Sequence, residues 1–130
     1  MARVLIVDDD QAERIILGRI LERAGHDVYL TSDDEQALKS LLKKKSIDVV
    51  VTDLQMPKVH GLELIMILRT FYPEVGIIAI SATGPPQLDM ADAVGAIVAL
   101  RKPVDPDELL EAVAKAVPGG DDSSVRGQGS

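Results

Sequence analysis

Two runs, Val49–Thr52 and Gly76–Ile80, are apolar at almost every position. A strand with one wet face alternates apolar and polar residues. These two do not, so both of their faces must be covered. Such strands fit inside a parallel sheet that carries helices on both sides. Three further segments rich in Val and Ile read as strands: Arg3–Val7, Val28–Thr31 and Ile97–Leu100.

Helical patterns alternate with these strands. Ile16, Leu17, Ile20, Leu21 and Ala24 fall on one face of a first helix, with Gly25 as its stop. Ala37, Leu38, Leu41 and Leu42 make a second stripe, with Ser32 and Glu35 as a capping box ahead of it. Leu64, Ile65 and Leu68 mark a third helix that ends before Pro73. Leu88 to Val94 suit a short fourth after Pro85 and Pro86. Leu109, Leu110, Val113, Ala114 and Val117 mark a fifth, with Asp105 as N-cap and Pro106 at the first helical position. The expectation is an α/β fold: a doubly wound, five-stranded parallel sheet of order 2-1-3-4-5 with five helices, flavodoxin-like.

The 130 residues suit one domain, and 46% hydrophobic residues can fill its core. We place that domain at residues 1–117. From Pro118 the chain reads PGGDDSSVRGQGS, a polar, Gly-rich stretch expected to be a flexible tail or linker over 118–130. No cysteine is present, which excludes disulfides and thiolate metal sites and fits a cytoplasmic location. Charged residues interrupt every apolar run before it reaches membrane-spanning length, so no membrane partner is expected. The net charge of −7 repels nucleic acid, and one Phe, two Tyr and no Trp offer little for stacking on bases.

In open parallel sheets, ligands bind beyond the carboxyl ends of the strands. Asp8, Asp9 and Asp10 stand after the first strand, Asp53 and Gln55 after the third, Ser81 after the fourth, and Lys102 after the fifth. Clustered carboxylates repel and raise one another's pKa values, which a hard divalent cation such as Mg²⁺ relieves. Lys102 can neutralise phosphoryl oxygens and Ser81 can donate a hydrogen bond to one. That set serves in-line phosphoryl transfer, with one carboxylate as nucleophile. Asp53 is central, at the end of the middle strand.

The chain resembles the receiver domains of two-component signalling. The resemblance rests on Asp8–Asp9, on Asp53 with Met56–Pro57 and Gly61, on Ser81–Ala82 and on Lys102–Pro103, and it covers about residues 3 to 117. It implies that Asp53 accepts a phosphoryl group from a sensor histidine kinase or phosphotransfer protein. It implies Mg²⁺ on Asp9, Asp53 and the Gln55 backbone carbonyl, with Asp8 acting through water. Ser81 and Lys102 would contact the phosphoryl group. Phosphorylation would change the face of the last two helices and the last strand, which meets a downstream effector protein or domain and can support a homodimer on activation. Such a domain turns over no released substrate, so it is not an enzyme in the ordinary sense.

One departure concerns the switch. Receivers usually carry Tyr or Phe three residues before the Lys–Pro, and here that position is Ala99, which has no rotamer to turn. Gln55 and Thr83 hold positions that, in the family, tune acyl-phosphate hydrolysis. Two other readings stay open. A haloacid-dehalogenase-type phosphatase would use Asp8 as nucleophile and Asp10 two residues on. A receiver-like module could bind partners constitutively. Taken singly, Asp10 reads as a helix cap, His26 and His60 as loop histidines, Lys43–Lys45 as a solvated helix end, and Met56 and Met66 as packing residues.

Overall fold

The structure is a computed structural model that describes residues 1–32, 39–40, 42–43, 46–55, 61–82, 95 and 98–117. The elements among them are β1 (Arg3–Val7), α1 (Gln11–Arg23), β2 (Asp27–Thr31), β3 (Val49–Asp53), α2 (Gly61–Phe71), β4 (Gly76–Ser81), β5 (Val98–Arg101) and α3 (Pro106–Ala116). The five strands form one parallel sheet in the order β2-β1-β3-β4-β5, as the sequence predicts. Of the five expected helices, the first, third and last are α1, α2 and α3. Residues 39, 40, 42 and 43 are helical, within the second expected helix. The expected fourth helix and the 118–130 tail lie outside the described residues.

β3 and β4 are buried at every position, which is why they show no polar alternation. β1 shows how the two faces divide. Leu5 and Val7 join Val50, Ile77 and Ala79 under α2, which contributes Leu64, Ile65 and Leu68. Val4 and Ile6 point the other way and join Val49, Val51, Ile78 and Ile80 under α1 and α3. α3 buries Leu109, Ala112, Val113 and Ala116, spaced at three, four and seven residues.

The first helix differs from its sequence reading in how it is turned. Its buried residues are Leu17, Gly18 and Leu21, whereas Ile16 is 58% exposed and Ala24 is exposed. Gly18 explains the rotation: a Cβ there would lie 3.1 Å from Leu30 Cδ2, so its bare backbone lets α1 settle on β2. Asp10 caps this helix, its side chain accepting from Glu13 N at 3.1 Å, and Gly25 closes it with φ of +95°.

The register sets what stands at the carboxyl edge. Val7 lies opposite both Thr31 and Thr52, Asp53 opposite Ile80, and Ser81 opposite Arg101. The chain leaves β1 towards β2 and returns on its other side as β3. That places the switch point between β1 and β3, where a crevice opens for ligands.

Candidate functional site

Asp8 follows β1, Asp53 ends β3, Ser81 ends β4 and Lys102 follows β5, so four strand ends deliver four functional groups to one crevice. Asp8, Asp53 and Ser81 are almost wholly buried. Lys102 reaches past β4 to the end of β3, its Nζ donating to Asp53 Oδ2 at 2.7 Å. The other oxygen of Asp53 accepts from Gln55 N at 2.8 Å. Both carboxylate oxygens are therefore oriented, one by a cation and one by the backbone. The Lys102–Pro103 peptide bond is cis.

Glu13 is the residue that sequence reading missed. It sits in the first turn of α1, and its Oε1 lies 2.9 Å from Lys102 Nζ, an ion pair without hydrogen-bond alignment. One oxygen each from Asp8, Glu13 and Asp53 come within 4.8 Å of one another. The Asp10 cap places Glu13 in the first turn of α1, but it does not by itself send the side chain to the strand ends. Asp9, by contrast, is exposed and stands outside this group.

The electrostatics follow from the crowding. Asp8 Oδ1 accepts from Asp10 N at 2.9 Å, but its Oδ2 is buried with no hydrogen-bond donor, and so is Glu13 Oε1. Burial pushes the Asp8 carboxyl up to about 8; the Glu13 carboxylate, with which it can share a proton, and the Asp53 charge push the same way, and only the Asp10 N–H opposes them. For Lys102, burial alone lowers the pKa, but the Asp53 and Glu13 carboxylates outweigh it and hold the ammonium above the ordinary lysine value. Oxygen ligands of this kind, with excess negative charge and two buried carboxylate oxygens that no hydrogen bond meets, fit a hard divalent cation.

Gln55 and Ser81 are linked across the crevice: the Gln55 amide Nε2 donates to Ser81 Oγ at 3.1 Å, and its Oε1 accepts from Ala82 N at 3.0 Å. Ala99 lies exposed on β5 with no side chain to turn inward. His60, Thr83, Pro85 and Pro86 lie outside the described residues.

Residues 4–114 match the family model of the response regulator receiver domain. The chain belongs to that family. Receiver domains of this family act as phosphorylation-dependent signalling switches in two-component systems. This one is 34% identical over 118 residues to the sensory/regulatory protein RpfC of Xanthomonas campestris, matching 86% of this chain but only 16% of that protein's length. It is 30% identical to the sporulation initiation phosphotransferase F of Bacillus subtilis, covering 89% of this chain and 94% of the relative. Among solved structures, the beryllofluoride-activated NtrC4 receiver domain dimer superposes with a TM-score of 0.82 at 27% identity, covering 90% of this chain and 97% of that one. No helix among the described residues is long and apolar enough to cross a membrane.

Proposed function

We propose that this receiver domain takes a phosphoryl group on Asp53 from a histidine kinase or phosphotransfer protein. The observation that carries the reading is the Lys102 ammonium 2.7 Å from a buried Asp53 carboxylate whose second oxygen is fixed by Gln55 N. An Asp53 oxygen attacks phosphorus, an O–P bond forms, and the N–P bond of the phosphohistidine breaks. The leaving imidazole nitrogen keeps the electron pair and takes up a proton. Lys102 draws charge from the phosphoryl oxygens as this happens, and Ser81 supplies a neutral donor. Asp8, Asp9, Asp53 and the Gln55 carbonyl are the groups that would hold Mg²⁺, which neutralises phosphoryl charge when bound.

Asp53 is favoured over Asp8 as the nucleophile, because the Lys102 ammonium lies 2.7 Å from Asp53 Oδ2 and can draw charge from a phosphoryl group seated there. The domain so read is cytoplasmic, catalyses only its own phosphorylation and hydrolysis, and passes its state to an effector through the face of β5 and α3. Ala99 leaves that face without an aromatic reporter. Dimerisation on activation belongs to the same reading.

Intact mass after incubation with Mg²⁺ and acetyl phosphate tests it. A single phosphoryl adduct is expected for the wild type, and none for Asp53→Asn or in chelator. Equal labelling of Asp53→Asn would move the acceptor elsewhere.

A further inference from the structure

Lys102 has two anionic partners, and only one belongs to the phosphoryl-accepting set. Its Nζ lies 2.7 Å from Asp53 Oδ2 and 2.9 Å from Glu13 Oε1. Both side chains of the second pair are about three-quarters covered, so water screens it only partly. Glu13 comes from a helix rather than a strand end, anchored by the Asp10 cap. It also closes the group of three carboxylates whose oxygens fall within 4.8 Å of one another.

A second observation points to a cation in that group. Asp8 is 1% exposed, and its Oδ2 is buried with no donor to satisfy it. An orphaned buried carboxylate oxygen costs free energy unless a proton or a cation meets it. With Asp8, Glu13 and Asp53 ionised and Lys102 charged, the four groups sum to −2, the charge that one divalent cation cancels.

We propose that Glu13 is a positioning residue of the phosphoryl site: it strengthens divalent-cation binding by its charge and, by holding Lys102, restrains that ammonium from an incoming phosphoryl group. The inference rests on the receiver chemistry proposed above. Glu13 thus acts in opposite directions on the site's two ligands. Cation binding gains from its charge beside Asp8 and Asp53. Anion binding loses, because Lys102 must be drawn from Glu13 and because the carboxylate repels the anion.

This opposition gives the test. Mg²⁺ affinity is measured by calorimetry, and beryllofluoride affinity at saturating Mg²⁺ by amide shifts in two-dimensional NMR, for the wild type, Glu13→Gln and Glu13→Ala. Removing the charge is expected to weaken Mg²⁺ about tenfold, the size of an outer-ligand loss. It is expected to tighten beryllofluoride about threefold, the size of one partly exposed ion pair. Unchanged affinities, or a fall in both as general loosening of the fold would give, overturn the role of Glu13. A wild type that takes no beryllofluoride overturns the receiver chemistry itself, and this inference with it.

Discussion

The side-chain amide of Gln55 holds Ser81 in place, donating from Nε2 to Ser81 Oγ at 3.1 Å while its Oε1 accepts from Ala82 N at 3.0 Å. One side chain thus ties the loop after β3 to the end of β4. Ser81 Oγ accepts in that bond, so its own O–H can be donated to a phosphoryl oxygen while the bond to Gln55 holds. Gln55→Ala should cost about 1 kcal/mol in urea denaturation, the net value of ordinary hydrogen bonds. Hydrogen exchange at the Ala82 amide should speed up at the same time. Unchanged exchange there would mean that the bridge does not form in solution.

Lys102→Met tests how far the crevice depends on its cation. The substitution leaves Asp53, which is 3% exposed, facing Asp8 and Glu13 without a counterion. Breaking a fully buried pair costs several kcal/mol; Lys102 keeps some contact with water, so a loss of about 2 kcal/mol is expected in chelator. Saturating Mg²⁺ should recover part of it, since bound ligand stabilises the folded state. A variant as stable as the wild type in chelator would contradict the charge balance described for this crevice.

Asp8 gives stability a pH dependence of defined sign. Its carboxyl titrates at 3.8 when unperturbed and near 8 in the folded chain, where burial and then Glu13 and Asp53 disfavour its charged form. The folded state therefore binds the proton more tightly than the unfolded one. The contribution is fully present below about pH 4 and is lost as pH rises towards 8. In metal-free buffer, the wild type minus Asp8→Asn stability difference should decline across that window. His26 pulls the other way, since burial and the chain's N-terminal ammonium lower its pKa, and the subtraction removes it. A difference that rises with pH would show Asp8 to be held in its charged form.

Much of this was legible in the sequence, because strand ends are fixed by composition. Two unbroken apolar runs place β3 and β4, and whatever follows them must emerge at the carboxyl edge, so Asp53 and Ser81 could be read directly. Lys102 could be read in the same way after β5. Glu13 could not, since a charged residue in a first turn is ordinary helix chemistry and its reach to Lys102 depends on how α1 sits. The same rotation misled the reading of Ile16. Apolar spacing marked a face, but Gly18 against Leu30 decided which side of the helix met the sheet. The Gln55 bridge was hidden for a related reason: the side-chain contact spans 26 residues and follows from the β3–β4 register.

Gly76 opens β4 directly beneath the last turn of α3. A Cβ built there would fall 2.0 Å from the Ala116 carbonyl oxygen and 2.9 Å from Ala116 Cβ. Neither element yields easily. Gly76 N donates to Asp48 O at 2.9 Å, which fixes the strand, and α3 is held to the sheet by Leu109, Val113 and Ala116. Gly76→Ala should therefore lower stability by about 3 kcal/mol, at the upper end for overpacking, read as a shift in the urea midpoint. The nearest obstacle is a backbone atom, so adding Ala116→Gly should recover little of the loss. Full recovery in the double variant would assign the clash to the Ala116 methyl and place the end of α3 farther from β4. A single variant as stable as the wild type would show that α3 can lift without loosening the face it shares with β5.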